Sequence, residues 1–164
     1  MNRSKIVALF VFVMIAAIMT AGQQEELPVE LKDAALHDAA CSRTGENQQS
    51  PAENLSALRI HAGARELGTI VTVQGACHCQ NDNCDALVYL RTSQGYRLAL
   101  HEKYASLHPM KIVKRGMPSL TGQFEINAVR METTVYDWDG KDYRPSLCAT
   151  VIKGKKVPSI ARHP

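Results

Sequence analysis

The sequence predicts an α+β fold in which an N-terminal helix packs on a mostly antiparallel β-sheet of six or seven strands, stapled by disulfides. Three observations lead there. A stretch rich in Ala, Leu, Glu and Lys near the start gives way to alternating and β-branched runs. Turn signals recur between those runs at hairpin spacing. Five cysteines stand in a chain that opens with an export signal, so they are expected to meet an oxidising compartment.

The elements follow in order. Pro28 suits a first helical turn, and Val29, Leu31, Ala35, Leu36, Ala39 and Ala40 approximate one apolar stripe, which predicts a helix over 28–41. Residues 42–55 are polar without periodicity and read as a loop. Leu58, Ile60 and Ala62 then alternate with Arg59 and His61, and residues 69–74 form a β-branched run. Residues 86–91 and 96–101 flank Thr92-Ser-Gln-Gly95, a hairpin in which Gly95 supplies the positive φ. A short strand is expected over 110–114, a loop over 116–122 containing Pro118, and a long strand over 124–138 with a break at Asn127-Ala128. Asp139-Gly140 signals a two-residue turn into a closing strand over 143–152.

Residues 1–22 read as a signal peptide. Arg3 and Lys5 precede an uncharged apolar run from Ile6 to Met19, with small residues at the exit. The run is shorter than the ~20 residues needed to cross a bilayer, so no stable membrane anchor is expected. Residues 23–152 form a single domain and 153–164 a basic tail, and the expected location is periplasmic or secreted. The whole chain has 19 basic and 16 acidic residues; without Arg3 and Lys5 the mature part has 17 against 16. That near-neutral balance gives no nucleic-acid footprint.

Chemistry concentrates in Gly75-Ala-Cys-His-Cys-Gln-Asn-Asp-Asn-Cys84. Cys77, His78, Cys79 and Cys84 admit three readings. Thiolate and imidazole suit zinc or copper, but no second ligand pair follows at zinc-site spacing. A thiol–disulfide enzyme usually needs Cys-x-x-Cys at a helix start, whereas this segment follows a strand. A stapled loop is the simplest reading: Cys79 and Cys84 bracket four turn-forming residues, Gln80, Asn81, Asp82 and Asn83. A second bridge draws on Cys41, Cys77 and Cys148, with a slight preference for Cys77–Cys148.

No nucleophile or metalloprotease motif is present, no cofactor is called for, and the chain is read as a non-enzyme. His101-Glu102 could act as an acid–base pair, and His108 could join them, only beside a substrate cleft. Asp137, Asp139 and Asp142 lack the glycine position and closing glutamate of a calcium loop and read as a solvated turn. Asn54-Leu-Ser56 matches a glycosylation acceptor, relevant only to a eukaryotic secretory route.

The order of leader, helix, strand, Cys-x4-Cys loop and hairpin resembles the Ivy-type periplasmic inhibitors of vertebrate lysozyme over about residues 69–100. That resemblance implies a short disulfide loop entering the lysozyme cleft, with a loop histidine on the catalytic carboxylates. Here Gln80 to Asn83 contains no histidine, and His78 lies just outside the bracket. Cys77-x-Cys79, Asn83-Cys84 and the closing Tyr136, Trp138 and Tyr143 are similar to a group of small exported bacterial proteins without assigned activity.

The expectation is therefore an exported binding protein, of inhibitor or immunity type, acting on a cell-wall-active enzyme such as a peptidoglycan-degrading one. Its contact would be His78, Gln80, Asn81, Asp82 and Asn83. The alternative is a periplasmic zinc- or copper-binding protein using Cys77, His78, Cys79 and Cys84.

Overall fold

The computed structural model describes residues 26–39, 54–152 and 155–157. The signal segment, Cys41 and most of the tail lie outside them. One helix, α1 (Val29–Asp38), precedes ten strands: β1 (Asn54–Ala62), β2 (Arg65–Gln74), β3 (Cys79–Gln80), β4 (Asn83–Thr92), β5 (Gly95–Tyr104), β6 (Ser106–Lys114), β7 (Met117–Asn127), β8 (Arg130–Trp138), β9 (Tyr143–Ile152) and β10 (Lys155–Val157). They form two five-stranded antiparallel sheets.

The α+β expectation is thereby corrected. Among the described residues the fold is essentially all-β, with a single ten-residue helix and ten strands in place of six or seven. The missed strands have identifiable causes. Residues 116–122 were expected to be a loop because of Pro118 and two glycines, yet Met117 begins β7. The turn lies one step earlier, at Arg115-Gly116, both with positive φ (51° and 81°), and it pairs Lys114 with Met117. Gly63, at φ 60°, makes a second turn, between β1 and β2. The expected break at 127–128 is a full hairpin, in which Asn127 Oδ1 accepts the N–H groups of Val129 (3.1 Å) and Arg130 (3.0 Å). The loop at Asp139 is longer than expected, because Trp138 pairs with Tyr143.

In the first sheet β2 lies between β1 and β4, and β5 pairs the other side of β4. β3 carries on along the β4 side that β2 leaves. Val73 faces Asp85, then Cys79 faces Cys84, so residues 75–78 are an excursion inserted into one strand path. The N–H groups of His78 and Cys79 both donate to the Gly75 carbonyl and close that excursion (3.1 and 3.0 Å). The second sheet is an uninterrupted meander from β6 to β10.

Side chains alternate across a strand, and here both faces of the first sheet are used. Val71, Val73, Leu87 and Tyr89 pack under Leu31, Ala35 and Ala39 of the helical segment. Ile70, Ala86, Val88 and Leu90 face the other way, onto Leu107, Leu120, Tyr136 and Tyr143 of the second sheet. β4 is thus covered twice, which is why residues 86–90 read as an unbroken apolar run. The layers are helix, sheet, sheet. Tyr89 Oη donates to Asp38 Oδ2 (2.8 Å) and ties the helix to β4.

Candidate functional site

Within the cysteine segment only His78 and Asn83 are buried. At its far end, Cys79 and Cys84 are joined by a disulfide between directly paired residues of β3 and β4. The two residues between Gln80 and Asn83 are Asn81 (φ 49°) and Asp82 (φ 63°). Two consecutive positive φ values are what a two-residue hairpin turn of the I′ kind requires, and Asn and Asp tolerate them best after glycine. Gln80, Asn81 and Asp82 are exposed.

Asn83 is not part of that surface. It is buried and holds the hairpin to β7, its Oδ1 accepting the Glu125 N–H (2.7 Å). Its amide donates to the carbonyls of Glu125 (2.8 Å), Asn81 (3.0 Å) and Gln80 (3.2 Å). The sequence placed Asn83 in the contact loop, whereas the structure makes it the anchor that fixes the tip. Beside the tip, Asn81, Asp82, Glu125 and Asn127 line a hollow of about 330 Å³.

His78 is likewise withdrawn, at 2% exposure. It is buried alone among residues 75–78, packed against Asp85. Asp85 Oδ2 meets His78 Nδ1 at 3.1 Å, and Oδ1 meets His101 Nε2 at 3.1 Å and Lys103 Nζ at 3.0 Å. Lys103 also donates to the His78 carbonyl (2.7 Å), which accepts the Asp85 N–H as well (3.0 Å). Burial raises the Asp85 pKa, but hydrogen bonds from Lys103, His78 and His101 outweigh it and hold the carboxyl below its ordinary value. The cluster therefore keeps a buried anion and locks the 75–78 excursion onto β4 and β5.

A β-bulge assembles this cluster. Counted outward from the Thr92–Gly95 turn, Asp85 would face Glu102, a like-charge pair. The register shifts between Val88 and Tyr89, so Asp85 faces Lys103 and Leu87 faces His101. Sequence reasoning noted His101 but missed Asp85 and Lys103, since a one-residue bulge leaves little trace in side-chain pattern.

A cleft of about 900 Å³ opens between β5 and the inner face of β7–β9. His101, Glu102, Phe124, Glu132, Tyr136 and Cys148 are among its walls. Tyr104 and Tyr136 meet edge-on at its floor, ring centroids 6.2 Å apart, with their hydroxyls hydrogen-bonded. Burial pushes both phenols above their ordinary pKa. Gly122 makes room for that floor, because a Cβ there would lie 2.6 Å from the Tyr104 ring. His101 and Glu102 thus border a cleft, while His108 stands exposed on β6 away from it. Among the described residues no hydroxyl or thiol is hydrogen-bonded to His101.

The expected Cys77–Cys148 bridge is not formed. Cys148 is a buried free thiol on β9, 3.6 Å from Thr134 Oγ1, and it points into the sandwich rather than toward the cysteine turn. Cys77 is engaged in a disulfide. The other partner weighed for the second bridge, Cys41, lies outside the described residues. With Cys77, Cys79 and Cys84 oxidised, the thiolates of a zinc or copper site are taken up in bonds. Among the described residues no group of three or more His, Cys, Asp or Glu is arranged to hold a metal ion.

In the Asp-Trp-Asp-Gly-Lys-Asp segment, Asp139 Oδ1 accepts the N–H groups of Lys141 (2.7 Å) and Asp142 (2.8 Å). Those backbone bonds, with Arg144 beside them, lower its pKa to about 2. The carboxylate is spent on the turn. No described helix is long and apolar enough to cross a membrane. Comparison with protein-family models, curated proteins and solved structures finds no match to this chain.

Proposed function

We propose that the chain is an exported binding protein that blocks a cell-wall-active enzyme, with the hairpin tip at Gln80, Asn81 and Asp82 as its contact. One observation carries this reading. An exposed polar turn is clamped from both sides, by the Cys79–Cys84 bridge and by the buried Asn83 bonded to β7. A contact already fixed in its bound shape avoids the ordering cost of about 0.5–1.5 kcal/mol per immobilised side chain.

The rest of the reading has separate supports. The basic, apolar and small-residue leader favours export, and disulfides persist in oxidising compartments. The resemblance of the strand and stapled loop to periplasmic lysozyme inhibitors favours a peptidoglycan-degrading partner. Asp82 at the tip and Glu125 beside it give this surface an acidic character suited to a basic partner.

The test is inhibition and surface binding with the purified mature chain against a panel of lysozymes and peptidoglycan hydrolases. At least one enzyme should be inhibited. The Asn81→Ala and Asp82→Ala variants should bind it about tenfold or more weakly, as expected for residues at the centre of a contact. An uninhibited panel with no binding, or tip variants as potent as the parent, would sink the reading.

A further inference from the structure

Four consecutive residues of β5, His101, Glu102, Lys103 and Tyr104, line the 900 Å³ cleft. Successive side chains of a strand point to opposite faces, so a cleft touching all four wraps the strand's edge, and it reaches Asp85 of β4 as well. That edge is open. β5 is hydrogen-bonded to β4 on one side, and no strand pairs its other side among the described residues. Toward the start of β5 the edge is covered, since Arg97 donates to the Leu98 carbonyl (3.3 Å) and to Asp142 (2.7 Å). Past Tyr104 it is closed again, where the Ala105 N–H donates to Gln123 (2.8 Å). The open stretch coincides with the cleft. An unpaired strand edge offers a row of backbone donors and acceptors to an incoming strand.

The charges bordering this edge are unequal. The Lys103 ammonium and the His101 ring are turned onto Asp85, and Lys103 balances its charge. Glu102 on β5 and Glu132 on β8 also line the cleft, and neither side chain has a hydrogen bond or ion pair among the described residues. Phe124, 38% exposed, and Ile126 and Pro145 add apolar wall. Backbone edge, uncommitted carboxylates and apolar wall converge on one kind of occupant.

We propose that the cleft docks an extended basic peptide segment of a protein partner, which adds a strand to the open edge of β5 and directs a lysine or arginine to Glu102 and Glu132. This rests on the reading of the chain as a protein-binding module, but not on the hairpin tip as its contact. Main-chain pairing would supply affinity, and the two glutamates with the apolar wall would supply selectivity.

The probe is acetyl-Leu-Lys-Phe-Arg-Leu-amide, titrated against the mature chain by calorimetry and by amide chemical shifts. Its glutamate counterpart, acetyl-Leu-Glu-Phe-Glu-Leu-amide, is the control. The basic peptide should bind and shift the amides of residues 100–104, and the acidic one should not. The E102Q/E132Q double variant should weaken binding about tenfold or more at unchanged melting temperature. N-methylation of the peptide at one alternate set of amides should abolish binding, and at the other set should spare it. Equal binding of both peptides, no binding at millimolar concentration, an unaffected double variant, or tolerance of both methylation patterns would overturn the proposal. Asn81→Ala and Asp82→Ala should leave peptide binding intact. Loss of enzyme inhibition in those variants with peptide binding retained concerns the tip alone, and the reverse result concerns the cleft alone.

Discussion

The two sheets share a hairpin-by-hairpin topology, yet the first is enclosed and the second is half open. β4 has a helix on one face and the second sheet on the other, and Val71, Leu87 and Val88 are fully buried. Among the described residues no helix covers the back of the second sheet, where Leu147 is 49% exposed, and part of its front looks into the cleft. The difference teaches where each sheet spends its residues. The first sheet holds the fold together, and it carries the hairpin tip and the buried Asp85 cluster at one end. The second supplies the wall that turns an edge of the first into a groove.

The largest expected effect breaks the comparison at its strong side. Leu87→Ala removes a fully buried side chain from between β4 and the helix and should cost about 2–5 kcal/mol. Leu147→Ala on the open back should stay within about 0.5 kcal/mol of the parent. Urea unfolding of both variants checks this, and similar losses in the two would mean that the back of the second sheet is covered.

Next comes the Asp85 cluster. Asp85→Asn keeps the shape but removes the anion that His78, His101 and Lys103 face, at a cost of roughly 2–3 kcal/mol near neutral pH. Its pKa is lowered in the folded state, so its contribution is present above the ordinary carboxylate value of 3.8. That contribution is lost as pH falls through the folded value. The stability gap between parent and variant should therefore hold from neutral pH to about 4 and shrink below it. A gap unchanged down to pH 2 would show that the charge is not what Asp85 contributes.

The staple ranks below that. Replacing Cys79 and Cys84 together by alanine opens a six-residue loop, and the chain-entropy estimate is about 2 kcal/mol. Because Asn83 still ties the hairpin to β7, the tip should keep its conformation in part. Amide exchange at residues 80–84 separates the two clamps: complete loss of protection would assign the whole of the tip's order to the bridge.

How much of this was legible in the sequence follows from what each feature depends on. The helix, the Thr92–Gly95 hairpin and the Cys79–Cys84 bracket rest on local pattern, and each could be read directly. β7 could not, since its start depends on Arg115 taking a left-handed conformation that non-glycine residues seldom adopt. The Asp85 cluster was hidden by the bulge in β5. The burial of His78 and Asn83 was hidden too, because polar residues beside a turn look solvated until a distant strand such as β7 supplies their partners. The cleft depends on how two sheets overlap, which no single strand records.

The smallest effect tests the link between helix and first sheet. Tyr89 Oη reaches Asp38 from the middle of a core face, and burial with the Asp38 carboxylate beside it pushes the phenol pKa far up, so the hydroxyl stays a donor through neutral pH. Tyr89→Phe keeps the ring among Leu31, Ala35 and Leu87 and removes only that hydrogen bond. The expected loss is about 1 kcal/mol, with faster amide exchange concentrated in residues 31–38 and not in the second sheet. Exchange that quickened equally in both sheets would mean that the helix is coupled to the whole sandwich rather than to the face it covers.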